Sequence, residues 1–119
     1  MGKLSTVLTT LMSVSGALCV AVVDYSSGLP LESQGSGLNI ELAAAASTEI
    51  VQAKLQAMKY LGLTNAIEDI LITLEDQYHI IRPMRSANKL FIYMVLDRNK
   101  GSLALARRRV QDADQELVI

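Results

Sequence analysis

The sequence holds one cysteine, Cys19, and one histidine, His79. A single cysteine excludes an internal disulfide framework and a cysteine-based zinc site, and it is compatible with a reducing compartment. Cys19 lies inside an apolar run, the setting of a buried, inert thiol. With one histidine, no Cys-His or Ser-His nucleophile pair can be assembled from spacing. An excess of one charge is missing too. The 11 Lys and Arg against 12 Asp and Glu leave a net charge of -1, so global charge points to neither nucleic acid nor an anionic membrane. No apolar run reaches the roughly 18 residues of a membrane span. Thr and Ser interrupt residues 1–16 (MGKLSTVLTTLMSVSG) every few positions, so no signal-peptide core forms. A soluble, cytoplasmic protein is expected. The opening Met-Gly-Lys-Leu-Ser-Thr fits the myristoylation pattern, a short motif that misfires often.

Nucleotide-binding motifs are also missing. A P-loop needs a glycine-rich stretch ending in Gly-Lys-Ser/Thr, and GLPLESQG has no Lys and no following helix. GSGLNI, from Gly35, begins like a dinucleotide fingerprint but lacks the third Gly and follows an edge strand. No catalytic constellation, cofactor site or metal site is expected. Glu75, Asp76, Asp112, Asp114 and Glu116 read as solvated termini and a helix face. Arg107, Arg108 and Arg109 fan around one helix, with Arg108 and Asp112 spaced to pair.

What is present is apolar patterning. Half of the 119 residues are hydrophobic, enough for the core of one domain spanning residues 1–119. Leu4, Val7, Leu8 and Leu11 share one face of a first helix over 3–14, which Gly16 can end. Residues 17–24 read as a strand buried on both faces. Tyr25-Ser26-Ser27-Gly28 is a turn, with Asp24 at the strand end. Residues 29–34 form a second strand, confined to an edge by Pro30. Asn39 caps a long helix that runs to about Leu61 and stops at Gly62. Residues 68–76 and 77–84 read as a hairpin, with Ile70, Ile72 and Leu74 facing one way. Pro83 marks either the end of its strand or a bulge. Residues 89–97 form a central strand. Ser102 caps a last helix striped by Leu103, Ala106, Val110, Ala113 and Leu117. Two strands apolar on both faces require helices on both sides of the sheet, and joining the pieces through them gives the strand order 2-1-5-4-3. The strand at 68–76 is then an edge with no Pro or Lys in its middle, a pairing site.

The long helix carries more apolar surface than one sheet can use. Projected at 100° per residue, Glu41, Thr48, Glu49, Gln52, Gln56 and Lys59 fall within about 100°. Apolar residues spread over about 220°, twice the stripe that a helix on one sheet needs. Ala43, Ala46, Ile50, Ala53 and Ala57 repeat at three-four spacing with small side chains that permit close helix approach. A homodimer is expected, its interface formed by Ala43, Ala46, Ile50, Ala53 and Ala57 with Ile70, Ile72 and Leu74 of the edge strand.

The segment VSGALCVAVVDYSSGLPLES after an amphipathic first helix resembles the Roadblock dynein light-chain family. Gly16, Val20, Val22, Val23, Asp24 and Gly28 match its pattern of Gly, hydrophobic strand, Asp and Gly turn. Within the family, the chain is similar to the small, free-standing, MglB-like members. The resemblance implies an α/β (α+β) fold, Roadblock/profilin-like. In it, a five-stranded antiparallel sheet carries the second helix on one face and the terminal helices on the other. It implies dimers joined through the second helix and third strand. It also implies one small Ras-like, MglA-like GTPase per dimer, whose GTP hydrolysis is stimulated without an inserted arginine finger. Glu41, Thr48, Glu49, Gln52, Gln56 and Lys59 are then the GTPase-binding surface. Other family members are scaffolds or motor-complex subunits. A homodimeric adaptor without a GTPase, or a small-ligand sensor, are the alternative readings.

Overall fold

The computed structural model describes residues 2–117. The elements run α1 (Gly2–Met12), β1 (Ala17–Asp24), β2 (Leu29–Gly35), α2 (Ile40–Tyr60), β3 (Ile70–Thr73), β4 (Gln77–Pro83), β5 (Leu90–Asp97) and α3 (Leu103–Glu116). The strands form one sheet in the order β2-β1-β5-β4-β3. All four pairings are antiparallel. This is an α+β fold with the architecture read from the sequence.

Strand alternation sorts the core into two layers. Val20, Val22, Ile92, Met94 and Leu96 meet Leu4, Leu8 and Leu11 of α1 and Ala106, Val110 and Ala113 of α3. Cys19, Ala21, Val23, Phe91, Tyr93 and Val95 point the other way, toward Ala44 and Val51 of α2. β1 and β5 are apolar at consecutive positions because each feeds both layers. The terminal helices therefore share one face and α2 takes the other.

The glycine and aspartate motif residues of the β1 region are turn makers. Gly16 has φ +87°, and a Cβ there would lie 2.8 Å from the Gly101 nitrogen. Only glycine lets this turn approach the β5–α3 turn so closely, while the Gly16 carbonyl accepts from Asp97 N at 2.7 Å. Asp24 closes the next turn. Its side chain accepts from Ser26 N at 2.8 Å and from the Ser26 hydroxyl at 2.5 Å. Its backbone carbonyl accepts from Gly28 N at 2.8 Å. These bonds from Ser26 hold the Asp24 carboxyl below the usual carboxylate range.

One element is shorter than its pattern. The edge strand expected over 68–76 pairs only at Ile70–Thr73. At its start, the Glu68 carbonyl accepts from Arg82 and Asp69 pairs with Arg107, which draws the chain toward α3. At its end, Leu74 N donates to the Gln77 carbonyl at 2.8 Å and closes the hairpin turn. Arg98 braces that turn by donating to the Leu74 carbonyl at 3.0 Å. Pro83 is the last residue of β4, so it ends the strand.

Candidate interaction surface

Asn39 caps α2 by accepting from Leu42 N at 3.1 Å, and Glu41 in the first turn suits the positive end of the helix. The helix buries Ala44, Ser47, Thr48, Val51 and Met58 against the sheet. It lies over β1 and β2. Leu42, Ala46, Ile50, Ala53, Tyr60 and Leu61 are exposed, with Leu42 at 67% and Tyr60 at 81%. The centre of this exposed apolar face is about 140° around the axis from the buried one. Two apolar faces on one helix, one covered and one open, account for the breadth of the hydrophobic arc.

The residues expected at a dimer contact divide accordingly. Ala46, Ile50 and Ala53 stand open on the outer face, and Ala43 and Ala57 are half-buried. Ile70 and Ile72 are half-buried on the α2 side of β3, at the sheet edge that no strand covers. Leu74 is exposed but lies in the hairpin turn beyond β3.

The polar arc requires one correction. Thr48 is only 5% exposed, and its hydroxyl donates to the Ala44 carbonyl at 2.8 Å. That internal bond satisfies the hydroxyl and lets the side chain pack under the helix, so Thr48 is no part of an outer surface. Glu41, Glu49, Gln52, Gln56 and Lys59 are exposed. Gln52 is also anchored, donating to the Tyr25 carbonyl at 2.8 Å, which ties α2 to the β1–β2 turn. Gln52, Gln56 and Lys59 line a groove of about 510 Å³ together with Leu55, Met58, Leu63 and Asn65.

Polar groups that sequence patterning does not connect also meet in the fold. On the α2 side, Tyr93 Oη lies 3.0 Å from His79 Nδ1, and His79 Nε2 lies 2.9 Å from Gln77 Oε1. On the other side, buried Asp114 takes Arg82 Nε at 2.9 Å and also receives Arg85 N, Ser86 N and the Ser86 hydroxyl. The sequence pattern puts Asp114 on a solvated helix face, and its 2% exposure overturns that. Arg107 is paired with Asp69 at 2.8 and 3.2 Å. Arg108 and Arg109 both lie 3.7 Å from Asp112, loose pairs at the surface. Among the described residues, no group of three or more His, Cys, Asp and Glu side chains could hold a metal ion. No described helix is long and apolar enough to cross a membrane.

The backbone arrangement has solved counterparts. MglB of Myxococcus xanthus superposes with a TM-score of 0.85 at 22% identity, covering 98% of this chain and 92% of that one. The chain has a Roadblock fold of the MglB-like form. The gliding protein MglB of Thermus thermophilus gives 0.85 at 15% identity, covering 98% of this chain and 87% of its own. A Roadblock/LC7 domain from Streptomyces avermitilis gives 0.80 at 11% identity, over 92% and 90% of the two chains. No protein-family model and no curated protein sequence matches the chain. The likeness to MglB therefore lies in architecture, with most side chains changed.

Proposed function

We propose that the chain is a homodimeric regulator or scaffold of a small Ras-like, MglA-like GTPase, acting in the cytoplasm by protein–protein binding. It has no catalytic residues of its own. The observation that carries this reading is the open apolar face of α2, with Ala46, Ile50 and Ala53 at its centre, beside the bare edge of β3. A second copy supplies the matching surface for both. Two α2 helices meet through small residues, and two β3 edges continue the sheet. The MglB-like fold supports the assignment of the GTPase as partner.

In such a dimer, the polar arcs of both copies lie side by side. Glu41, Glu49, Gln52, Gln56 and Lys59 then form a composite surface that neither protomer holds alone. A GTPase seated across the two-fold axis blocks its own symmetry mate, which gives one GTPase per dimer. The polar character suits a reversible contact. Hydrolysis is stimulated by arranging the GTPase's own residues.

Sedimentation equilibrium and a GTP-hydrolysis assay test the reading together. The wild type is dimeric at micromolar concentration, and Ala53→Glu, which places a charge in a dry helix contact, is a folded monomer. A combined Glu49→Lys and Gln56→Glu change keeps the dimer but weakens binding of the GTPase. A wild-type monomer refutes the dimer. A dimer that neither binds nor stimulates any small GTPase encoded beside it is an adaptor instead.

A further inference from the structure

His79 lies on β4, opposite Ile72 of β3 and Val95 of β5. It shares a sheet face with Ile70, Ile72 and Tyr93, on the β3 side of the strands β1 and β2 over which α2 lies. His79 is half-buried, and its neighbour Ile72 belongs to the surface assigned above to the second copy. Both ring nitrogens have partners. Gln77 Oε1 can only accept, so Nε2 carries the proton and Nδ1 accepts from the Tyr93 hydroxyl. Tyr93 is 2% exposed. A chain of hydrogen bonds therefore runs from Tyr93 on β5, through the ring on β4, to Gln77. While the imidazole is neutral it runs one way, with Tyr93 donating to Nδ1 and Nε2 donating to Gln77.

A proton on Nδ1 breaks that direction. Tyr93 can no longer donate to the ring; it accepts from it and must turn its own hydrogen away, with only 2% of the residue open to water. The imidazolium would also have to shed water when a second copy covers it. The charged group acting on His79 is Asp76, on the hairpin turn before β4, and it favours the proton. Burial outweighs it and depresses the ring's affinity for a proton below the ordinary value. Among the other ionisable groups near the chain, Tyr93 is pushed up to about 12 by burial, and Cys19 on β1 is raised, also by burial. Both are uncharged across the range in which His79 titrates.

We propose that His79 is a proton-sensitive latch on self-association: the neutral ring admits the second copy, and the protonated ring disfavours it. The inference rests on the dimer proposed above. Proton linkage fixes the sign, since the form that excludes water from the ring binds fewer protons, so the dimer weakens as pH falls through the His79 titration. Each dimer carries two such rings, and they titrate together.

The dimer dissociation constant, measured by sedimentation at pH 7.5 and 5.5, should rise by about tenfold in the wild type. His79→Gln, which keeps an acceptor for Tyr93 but cannot titrate, should hold it constant within about twofold. A second readout does not depend on that variant folding. His79 is the only histidine, so one imidazole proton resonance reports its titration. Its midpoint should fall as protein concentration is raised through the dissociation constant. A midpoint independent of concentration, or a pH dependence that survives in His79→Gln, overturns the latch. A dimer equally tight at both pH values overturns the latch alone. A monomer at every pH overturns the dimer and the latch together.

Discussion

Replacing Asp114 with Ala should destabilise the fold more than a loss of one surface carboxylate would. Asp114 is 2% exposed and Arg82 6%, and their charges meet at 2.9 Å. Asp114 also accepts from Arg85 N at 3.1 Å, Ser86 N at 3.2 Å and the Ser86 hydroxyl at 2.9 Å. One carboxylate thus clasps α3 to β4 and to the loop leading to β5. Removing it strands a buried guanidinium whose one other bond among those described is to the Glu68 carbonyl at 3.3 Å. Breaking a buried pair from one side costs about 3–5 kcal/mol. At this chain length, that corresponds to a fall in Tm of about 12–20 °C.

Thermal unfolding followed by circular dichroism, at one fixed protein concentration, reads this directly. Arg82→Met combined with Asp114→Leu removes both charges and should recover part of the loss, because an apolar pair avoids the desolvation cost while the Arg85 and Ser86 donors stay unpaired. The pH dependence follows from the same contacts. Burial alone would raise the Asp114 carboxyl, but the bonds from Arg85, Arg82 and Ser86 outweigh it and hold it below its ordinary value. A depressed carboxyl stabilises the fold above its unfolded pKa and loses that contribution as pH falls through the folded value. Wild type should therefore lose stability below about pH 4 more steeply than Asp114→Asn. An Asp114→Ala protein within about 1 kcal/mol of wild type would refute the clasp.

Two further outcomes are expected. Gly35→Ala should cost about 2–3 kcal/mol, since φ is +95° and the new Cβ would lie 2.3 Å from the Leu18 carbonyl oxygen. Gly37→Ala, with φ +100° but no atom within 4 Å, should cost only about 1 kcal/mol, and equal losses in urea unfolding would contradict the steric account. Isothermal calorimetry with the protein alone should detect no micromolar affinity for GTP or ATP, because the chain has no Gly-Lys-Ser/Thr loop to cradle phosphates.

The elements that sequence periodicity locates well are those whose partners are also apolar. β1 and β5 read as buried on both faces because each serves two layers, and the strand order follows from their central placement. Periodicity overextends β3 because alternation continues through Glu68, Asp69 and Leu74, while tertiary partners pull those residues away. Arg82 holds the Glu68 carbonyl, Arg107 holds the Asp69 carboxylate, and Arg98 holds the Leu74 carbonyl. Asp114 and Arg82 are separated by 32 residues, and no local period connects them. Thr48 falls on the polar side of a helical projection, but the projection cannot show that its hydroxyl is satisfied within the helix.

Of the residues that carry the family likeness, Val20, Val22 and Val23 fill β1 and the other three make turns. Gly16 lets two loops touch, and Asp24 and Gly28 close the β1–β2 corner. Such residues specify a fold that many partners can use, and they say nothing about which partner. The functional signal lies instead in a surplus. α2 has an apolar arc wide enough for two packing partners, and its own sheet uses only one of them. A chain that left Leu42, Ile50 and Leu61 open without a use for them would carry an aggregation hazard beside an unpaired strand edge. The proposed second copy would remove both hazards with one interface. That proposed interface would also bring two polar arcs together, so the step that protects the fold would be the same step that creates the surface proposed for a third protein.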